Sequence, residues 1–508
     1  MTMNRNAPQH QAFRCVACRA AVIIAALLGV AGAEQQTVGT TPSYVVLTDL
    51  ASDDPFFPAA RKLQQHRSAR LVHFQTGRIT DSLGSLREAQ PEFVAIVLRP
   101  DSFDINLAYD VLELATKVDD DPFVDFAFGF ITGTTADDTM ALVERTIDAE
   151  SAPPLGEHRV FAFGPVSTPQ VVEGNAFPWL EGWNCQRIEH KPGHFPPALK
   201  QDLAAADVIR FWGHGAPDSV DDGLVRADLD DLALRARMVF AGPCFSAVTH
   251  RYYDTPGKSK TLEERTVAAD RSLALAFLSK GALTYYGAMQ EDRCISAGQE
   301  FEHAMTHGGP AGMTMKHTHD RIVMAHSGDA PLAFSRLEGG IPDPDEKGTA
   351  GLLRLAAARV LLGDPAFRPL ADSAKPPLVT TLEPSVSGYQ ITATIANPEI
   401  RSTFVNPLRE DMCKCCDDND TLYLQVPMPA AATPVLRIEV VALPACLESV
   451  KHGSVEWREE SWLGQRILHV QIDFRHDTLV GIKPETKVRF KVTTQSASPA
   501  AEPRQNDN

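Results

Sequence analysis

Short apolar runs alternate with helical patterns along most of the chain, and this alternation limits the possible folds more than any other feature. Tyr44–Thr48 and Phe93–Leu98 are continuous apolar runs typical of buried strands, whereas Ile105–Lys117 has the spacing of an amphipathic helix. Strands that alternate with helices form crossover connections and a mostly parallel sheet with helices on both faces. We therefore predict an α/β fold for the larger part of the chain.

The alternation restarts after Pro153-Pro154, which divides this part of the chain into two. We predict two side-by-side α/β subdomains with largely parallel sheets, over about residues 41–155 and 156–372. The elements predicted for the second subdomain include strands over Val208–Trp212, Arg237–Ala241 and Ala282–Tyr286, and a late helix over Leu352–Leu362.

The pattern changes near residue 376, where helical periodicity ends. The following runs alternate apolar and polar residues, as half-buried strands do: Tyr389–Ile395, Thr421–Val426, Val435–Val441, Ile467–Phe474 and Lys487–Thr493. This spacing predicts an immunoglobulin-like β-sandwich over residues 376–495. The polar residues 496–508 are predicted to be a disordered tail.

The first residues carry an export pattern. Arginines without acidic residues precede the apolar run Ala20–Val30, and Ala31-Gly32-Ala33 supplies a small-residue cleavage site. The apolar segment is shorter than the ~20 residues that cross a bilayer, and no later run is long and apolar enough to span a membrane. We predict that residues 1–33 are a signal peptide and that the mature protein is extracellular, periplasmic or attached to the cell surface.

The composition limits the possible partners. The chain has 48 Lys and Arg against 65 Asp and Glu, a formal net charge of −17. Because such a surface repels phosphate backbones, nucleic acid is not expected as a partner. A hydrophobic content of 44% is ordinary for a globular protein, so a disordered chain is excluded, while both an enzyme and a binding protein stay open. The oligomeric state is left open.

Two of the predicted strands end in reactive side chains. Val208–Trp212 runs into Gly213-His214-Gly215, and Arg237–Ala241 runs into Gly242-Pro243-Cys244. If these strands are neighbours, the imidazole and the thiol project from the same edge of the sheet, where ligands bind in open α/β folds. A thiol beside an imidazole is the pair that nucleophilic acyl transfer needs, and backbone N–H groups of Gly215 and Cys244 suit an oxyanion. The alternative is a turn histidine and an unrelated buried thiol.

The order of these motifs resembles the gingipain-type family of cysteine peptidases, within the caspase/legumain/gingipain class. Further segments that resemble the family in order are Asp121–Phe130, Ser272–Leu278, Lys280–Ala282, Tyr285–Ala288 and Leu361–Pro365. The chain departs from the family where Phe130 follows Gly129, a position that usually holds arginine. The resemblance implies a caspase-like fold, polypeptide substrates and peptide-bond hydrolysis.

The resemblance also implies residue roles. Cys244 would be the nucleophile, His214 would protonate the leaving amine, and the backbone amides of Gly215 and Cys244 would hold the oxyanion. Asp125 would orient the histidine, and its alternative is a strand-edge carboxylate that faces water.

The pocket for the residue before the scissile bond is implied in the same way. Tyr286, Gly287 and Ala288 would border it, and Asp137 would hold a basic substrate side chain. Asp137 also stands at a predicted helix start, where a capping role is the favoured interpretation.

Two clusters raise the question of metals. Asp119-Asp120-Asp121 offers oxygen ligands for a structural Ca²⁺, although a solvated acidic turn is the favoured interpretation. Cys413, Cys415, Cys416 and Cys446 could bind a metal, but in an exported protein we favour disulfides, whose pairing the sequence does not give.

The sequence thus predicts a secreted cysteine endopeptidase that uses a Cys–His dyad and a thioacyl-enzyme. Two alternatives remain open at this stage. One is a transpeptidase-like enzyme in which an amine intercepts the thioacyl-enzyme, and the other is a catalytically silent surface protein whose β-module binds a partner.

Overall fold

The structure is a computed structural model that describes most of the chain beyond the predicted signal peptide. The described residues are 43–152, 158–165, 170–172, 177–190, 195–220, 223–255, 261–292, 296–326, 331–334, 336–337, 349–370, 375–400, 404, 419–444, 455–475 and 482–495. The predicted signal peptide, the predicted tail and the cysteines 413, 415, 416 and 446 lie outside them. Among the described residues, no helix has the length and apolar character that crossing a bilayer requires.

An 11-stranded sheet organises the first part of the chain. In chain order its strands are β1 (Tyr44–Thr48), β2 (Arg70–His73), β3 (Phe93–Val97), β4 (Ala127–Ile131), β5 (Arg159–Pro165), β6 (Gln170–Val172), β7 (Asn184–His190), β8 (Val208–Phe211), β11 (Met238–Ala241), β14 (Tyr285–Ala288) and β15 (Arg359–Leu362). Two hairpins lie outside it, β9 (Gly215–Ala216) with β10 (Ser219–Val220), and β12 (Arg251–Asp254) with β13 (Glu263–Thr266).

The strands follow the order β2-β1-β3-β4-β15-β14-β11-β8-β5-β7-β6. The first four are mutually parallel, and β14, β11, β8, β5 and β7 are also mutually parallel. β15 joins the two groups, since it is parallel to β4 and antiparallel to β14. The two groups therefore run in opposite directions within one sheet.

Helices cover the sheet. They are α1 (Phe57–Arg67), α2 (Leu83–Ala89), α3 (Ile105–Ala115), α4 (Ala136–Ser151), α5 (Lys200–Ala205), α6 (Leu273–Ser279), α7 (Ser296–His307), α8 (Ala311–Ala325) and α9 (Thr349–Ala357). Polar side chains fix several helix starts by accepting a backbone N–H, as Asp104 does for α3, Thr135 for α4 and Ser272 for α6. The central strands are buried on both faces, which is why they appear as continuous apolar runs.

The strand predicted over Ala282–Tyr286 is observed as β14 over Tyr285–Ala288, and a second element differs more. The late helix predicted over Leu352–Leu362 is instead two elements, since α9 ends at Ala357 and β15 begins at Arg359. A short apolar run fits a buried strand as well as a buried helix segment, so periodicity alone does not separate them. The consequence is large, because β15 is the strand that joins the two halves of the sheet.

The last part of the chain forms two antiparallel sheets. Their strands are β16 (Leu378–Ser385), β17 (Gly388–Ile395), β18 (Asn419–Pro427), β19 (Val435–Ala442), β20 (Val455–Trp462), β21 (Gln465–Arg475) and β22 (Thr486–Thr494). The orders are β16-β17-β22-β19 and β18-β21-β20, with a shared apolar core between the sheets. This β-sandwich and the mostly parallel sheet before it confirm the predicted fold class.

Candidate active site

The strands β8 and β11 place the two predicted reactive residues at one edge of the sheet. They are parallel neighbours, with Phe211 opposite Ala241. His214 stands three positions after Phe211, and Cys244 stands three positions after Ala241. The structure thus brings together the two strand ends, with His214 exposed and Cys244 half-buried.

The two loops touch at Gly215. A Cβ atom on this residue would lie 2.5 Å from Pro243 Cβ and 2.9 Å from the Cys244 carbonyl oxygen. Contacts that short do not occur between real side chains, so only glycine allows the two backbones to approach this closely. The approach keeps the loop that carries His214 against the loop that carries Cys244.

The turns at both positions use uncommon backbone conformations. Gly213, immediately before His214, has a φ of 127°, which L-amino acids with side chains avoid. Phe245, immediately after Cys244, has a φ of 57°, a strained value for a bulky residue. In active sites, backbone strain of this kind occurs at sharp turns that expose a side chain after a buried strand.

The Cys244 thiol lies beside the segment that follows β14. The backbone N–H of Asp292 donates to Cys244 Sγ at 3.3 Å, and the Sγ lies 3.7 Å from the Asp292 carbonyl oxygen. Burial raises the pKa of the Cys244 thiol, as do the Asp292 and Glu291 carboxylates, while the Asp292 N–H favours the thiolate. The net direction is upward, so the resting thiol is protonated at neutral pH.

A buried arginine contacts the two chain segments on either side of the Cys244 thiol. Arg359, on β15, donates to Asp292 Oδ2 at 2.7 Å, to Glu300 Oε1 at 2.8 Å and to the Ala241 carbonyl oxygen at 2.8 Å. Burial alone would lower the arginine pKa, but the two carboxylates reverse this and raise it. Arg359 therefore joins the end of β11 to the segment that donates to Cys244.

Further bonds fix the loop after Cys244. Phe245 N–H donates to the Gln290 carbonyl, Ala247 N–H donates to the Ala288 carbonyl, and Ala288 N–H donates to Ser246 Oγ at 3.1 Å. The Tyr285 hydroxyl donates to the Ser246 carbonyl at 2.8 Å. The thiol therefore sits on a loop that is tied to β14 at several points.

Three residues predicted to border the substrate pocket lie in β14 and are buried. The Tyr286 ring stacks on Phe240, and its hydroxyl donates to the Ala311 carbonyl at 3.0 Å. Ala288 is fully buried, and Gly287 lies against Tyr285, with no room for a side chain. In this conformation Tyr286 packs in the core, while Gly287 and Ala288 support the Cys244 loop from behind.

Asp125 lies near the same edge of the sheet but away from His214. It precedes β4, whereas His214 follows β8, which is four strands away, or roughly 19 Å at about 4.8 Å per strand. Its carboxylate accepts the backbone N–H groups of Val118 and Asp119. Burial, together with the Asp119 and Asp121 charges, raises the pKa of Asp125 to about 8. The orienting role for Asp125 stays a prediction.

Asp137 stands at the opposite edge. It is exposed in the first turn of α4, which follows β4, and β4 runs antiparallel to β14 and β11. The structure therefore does not bring Asp137 to Cys244. The helix start is capped by Thr135, whose Oγ1 accepts the Asp138 N–H at 3.1 Å, and Asp137 lies within the first turn rather than at the cap.

The acidic turn before Asp125 contacts the β-sandwich. Asp121 Oδ2 accepts the Ser461 N–H at 2.8 Å, and its Oδ1 accepts the Phe123 N–H at 2.9 Å. Burial raises the pKa of Asp121 to about 6. Asp121 therefore bonds to its own turn and to the β-sandwich, and the structural Ca²⁺ at Asp119-Asp120-Asp121 stays a prediction.

The sequence reasoning missed Arg359 and Asp292. A usable signal was present, because an arginine inside the apolar run around Val360 must have buried partners if the run is buried. Because that run was interpreted as a helix, its pairing with β14 was not predicted. Asp292 carries no pattern of its own, since its contribution comes through its backbone N–H.

Comparisons with solved structures return matches of low sequence identity. The structure is similar to the Arg-specific cysteine proteinase gingipain R (RgpB), with a TM-score of 0.43, 10% identity, and coverage of 70% of this chain and 84% of that one. The complex of Porphyromonas gingivalis RgpB pro- and mature domains gives 0.42, 10%, 69% and 86%. A structure described as a protease gives 0.41, 11%, 70% and 85%. No family model and no curated protein matches the chain.

Proposed function

We propose that the protein is an exported cysteine endopeptidase that hydrolyses polypeptides with Cys244 and His214. The observation that carries the proposal is the contact between their two loops at Gly215. Two parallel neighbouring strands end at equivalent positions in an imidazole and a thiol, and the glycine allows the loops to meet. A Cys–His pair on adjacent loops is the arrangement that activates a thiol for acyl transfer.

The reaction begins with a neutral thiol, because burial and nearby carboxylates raise the pKa of Cys244. His214 accepts the thiol proton as Sγ attacks the carbonyl carbon of the scissile bond. The C=O π electrons move to oxygen, and backbone N–H groups of Gly215 and Cys244 stabilise that oxyanion. The Asp292 N–H stabilises the negative charge that develops on Sγ as the proton leaves.

The intermediate then collapses. The C–N bond breaks, and the proton held by His214 passes to the leaving amine, which leaves a thioester on Cys244. A water molecule gives a proton to His214 and attacks the thioester carbon. When the C–S bond breaks, that proton returns to Sγ, so the enzyme is regenerated and the net change is hydrolysis of one peptide bond.

Cleavage of an internally quenched peptide library tests this proposal. The purified protein is compared with Cys244→Ala, His214→Gln and the control Cys185→Ala, which removes a buried thiol at the start of β7. We expect cleavage by the parent and by Cys185→Ala, and a loss of at least a thousandfold in Cys244→Ala. Equal cleavage by Cys244→Ala and the parent would refute the proposed nucleophile.

A further inference from the structure

A cavity of about 270 Å³ lies between the helices α7 and α8 and the β-sandwich. The helices contribute Gln299, His303, His307, His317 and Arg321, and the sandwich contributes Tyr423 and Gln425 beside an apolar wall of prolines and leucines. No carboxylate lines the cavity within the described part of the chain. It is separate from Cys244, and nothing in the proposed reaction uses it.

Three imidazoles form a stack along one side of this cavity. The ring centroids of His303 and His307 are 4.3 Å apart, and those of His303 and His317 are 4.0 Å apart. Thr314 Oγ1 lies 3.3 Å from His303 Nδ1, and Gln425 Oε1 lies 3.2 Å from His317 Nδ1. Both rings thus form these contacts through Nδ1, and both side chains line the cavity.

The charged side chain that lines the cavity, Arg321, is positive. Burial lowers the pKa of His303 and His317 well below the usual value, and the neighbouring histidines and Arg321 lower it further. Glu302 on α7 partly offsets Arg321, and Tyr423 faces the Arg321 guanidinium at 5.7 Å. Behind the lining residues lie Asp320 and Glu460, which are paired with Lys316 and, for Glu460, also with His469. A positive, donor-rich cavity favours an anion over a cation.

The ring geometry also argues against a metal. The planes of His303 and His307 differ by 14°, and those of His303 and His317 by 20°. Nearly parallel rings direct their nitrogen lone pairs side by side, whereas a tetrahedral ion needs lone pairs that converge. No group of three metal-ligating side chains was found among the described residues.

We propose that this cavity binds a small oxyanion, carried by an inorganic phosphate or by a carboxylate. The guanidinium of Arg321 supplies the permanent charge, and His303 and His317 donate to the anion through Nε2 once they are protonated. The bound negative charge favours protonated imidazoles, so binding is tighter at lower pH. Because the cavity is bounded by both α8 and β18, the anion also stabilises the packing of the sandwich on the α/β part.

Calorimetry and thermal unfolding of the whole protein test the site, with sodium phosphate and sodium citrate compared against sodium chloride at equal ionic strength. We expect phosphate, citrate or both to raise the unfolding temperature, and to bind at least tenfold more tightly at pH 6 than at pH 7.5. Phosphate alone would assign the site to inorganic phosphate, and citrate alone to carboxylates.

Variants make the test specific. His303→Gln and His317→Gln should each weaken binding at least tenfold, whereas His73→Gln, an exposed histidine on β2, should not. Arg321→Gln should abolish binding if it folds, and the histidine variants decide the matter if it does not. Equal anion effects in all variants would mean an adventitious ion only. Stabilisation by Zn²⁺ alone, lost in His303→Gln, would replace the anion site by a metal site.

Discussion

Two buried ion clusters hold the molecule together in different ways. Arg359 lies between Asp292 and Glu300 and also donates to the carbonyl oxygen of Ala241, the last residue of β11. Lys316 on α8 lies between Asp320, at 2.9 Å, and Glu460 of the β-sandwich. Each cluster places one cation between two carboxylates, and all these side chains are almost fully buried.

The difference lies in what each cation connects. The planar fork of Arg359 reaches two acids and a backbone carbonyl, so it determines where the Cys244 loop and its neighbouring N–H lie. The compact ammonium of Lys316 joins α8 to β20, and His469 continues the chain of contacts by bonding Glu460 at 2.8 Å. The first cluster therefore positions the reactive loop, and the second attaches the sandwich.

Breaking each cluster in turn gives large expected effects on stability at any one pH. Arg359→Met and Lys316→Met each leave two buried carboxylates without their cation, which costs about 3–5 kcal/mol of unfolding free energy. The two variants should differ in activity, because only Arg359 contacts the segments around Cys244. Denaturant unfolding gives the stability, and kcat/KM measured well below each unfolding transition gives the activity.

Arg359→Lys is the matched control for Arg359→Met, since lysine keeps the positive charge but lacks the planar guanidinium that reaches several acceptors. We expect it to recover part of the stability and little of kcat/KM. If Lys316→Met lost as much kcat/KM as Arg359→Met while both were folded, the positioning role of Arg359 would be wrong.

Asp125 lies where the α/β part contacts the β-sandwich, since its carbonyl oxygen accepts the Trp462 Nε1–H at 3.2 Å. Its folded pKa of about 8 lies above its ordinary value of 3.8, so the folded state keeps a proton that the unfolded state releases. Unfolding free energy should therefore fall as pH rises between about 4 and 8, by about 1.4 kcal/mol per pH unit at most. In Asp125→Asn this component of the pH dependence should disappear.

Denaturant unfolding of Asp125→Asn and the parent across that pH range measures the effect. A large loss of kcat/KM in Asp125→Asn, with an unchanged pH dependence of stability, would instead support the orienting role that the family resemblance implies.

The smallest expected stability effect concerns the contact between the reactive loops. Gly215→Ala places a methyl group 2.5 Å from Pro243 Cβ, so the loops must separate, at about 1–3 kcal/mol. We expect kcat/KM to fall at least tenfold. Gly84→Ala is the control, since nothing lies within 4 Å of its added Cβ in α2, and it should gain up to about 1 kcal/mol with unchanged kcat/KM. Equal kcat/KM in the two variants would mean that loop contact is unimportant.

The alternating pattern was sufficient to predict most strands near the site. Tyr44–Thr48 has the predicted bounds, and the strands before His214 and Cys244 differ from their predictions by a residue. The loops of His214 and Cys244 were predicted from apolar runs that end in glycine and a reactive side chain. Both the buried strand and the reactive residue can be recognised from neighbouring positions in the sequence.

The direction of the strands left no such signal. β15 reverses the sheet, so Asp137 lies at the edge opposite Cys244, although it follows a strand just as His214 does. The histidine stack was also missed, since His303 and His317 lie on different helices and meet only through tertiary packing. Long-range pairing, rather than local pattern, decides both features.

The rate of covalent modification of Cys244 by a peptidyl electrophile tests the central claim most directly. Intact-mass and peptide mapping should find one adduct, on Cys244 and not on Cys185, formed far faster than with an electrophile that lacks the peptide. His214→Gln should slow this modification at least a hundredfold while leaving the fold unchanged. The same rate in His214→Gln and the parent, or an adduct on another residue, would show that the imidazole and the thiol do not act together.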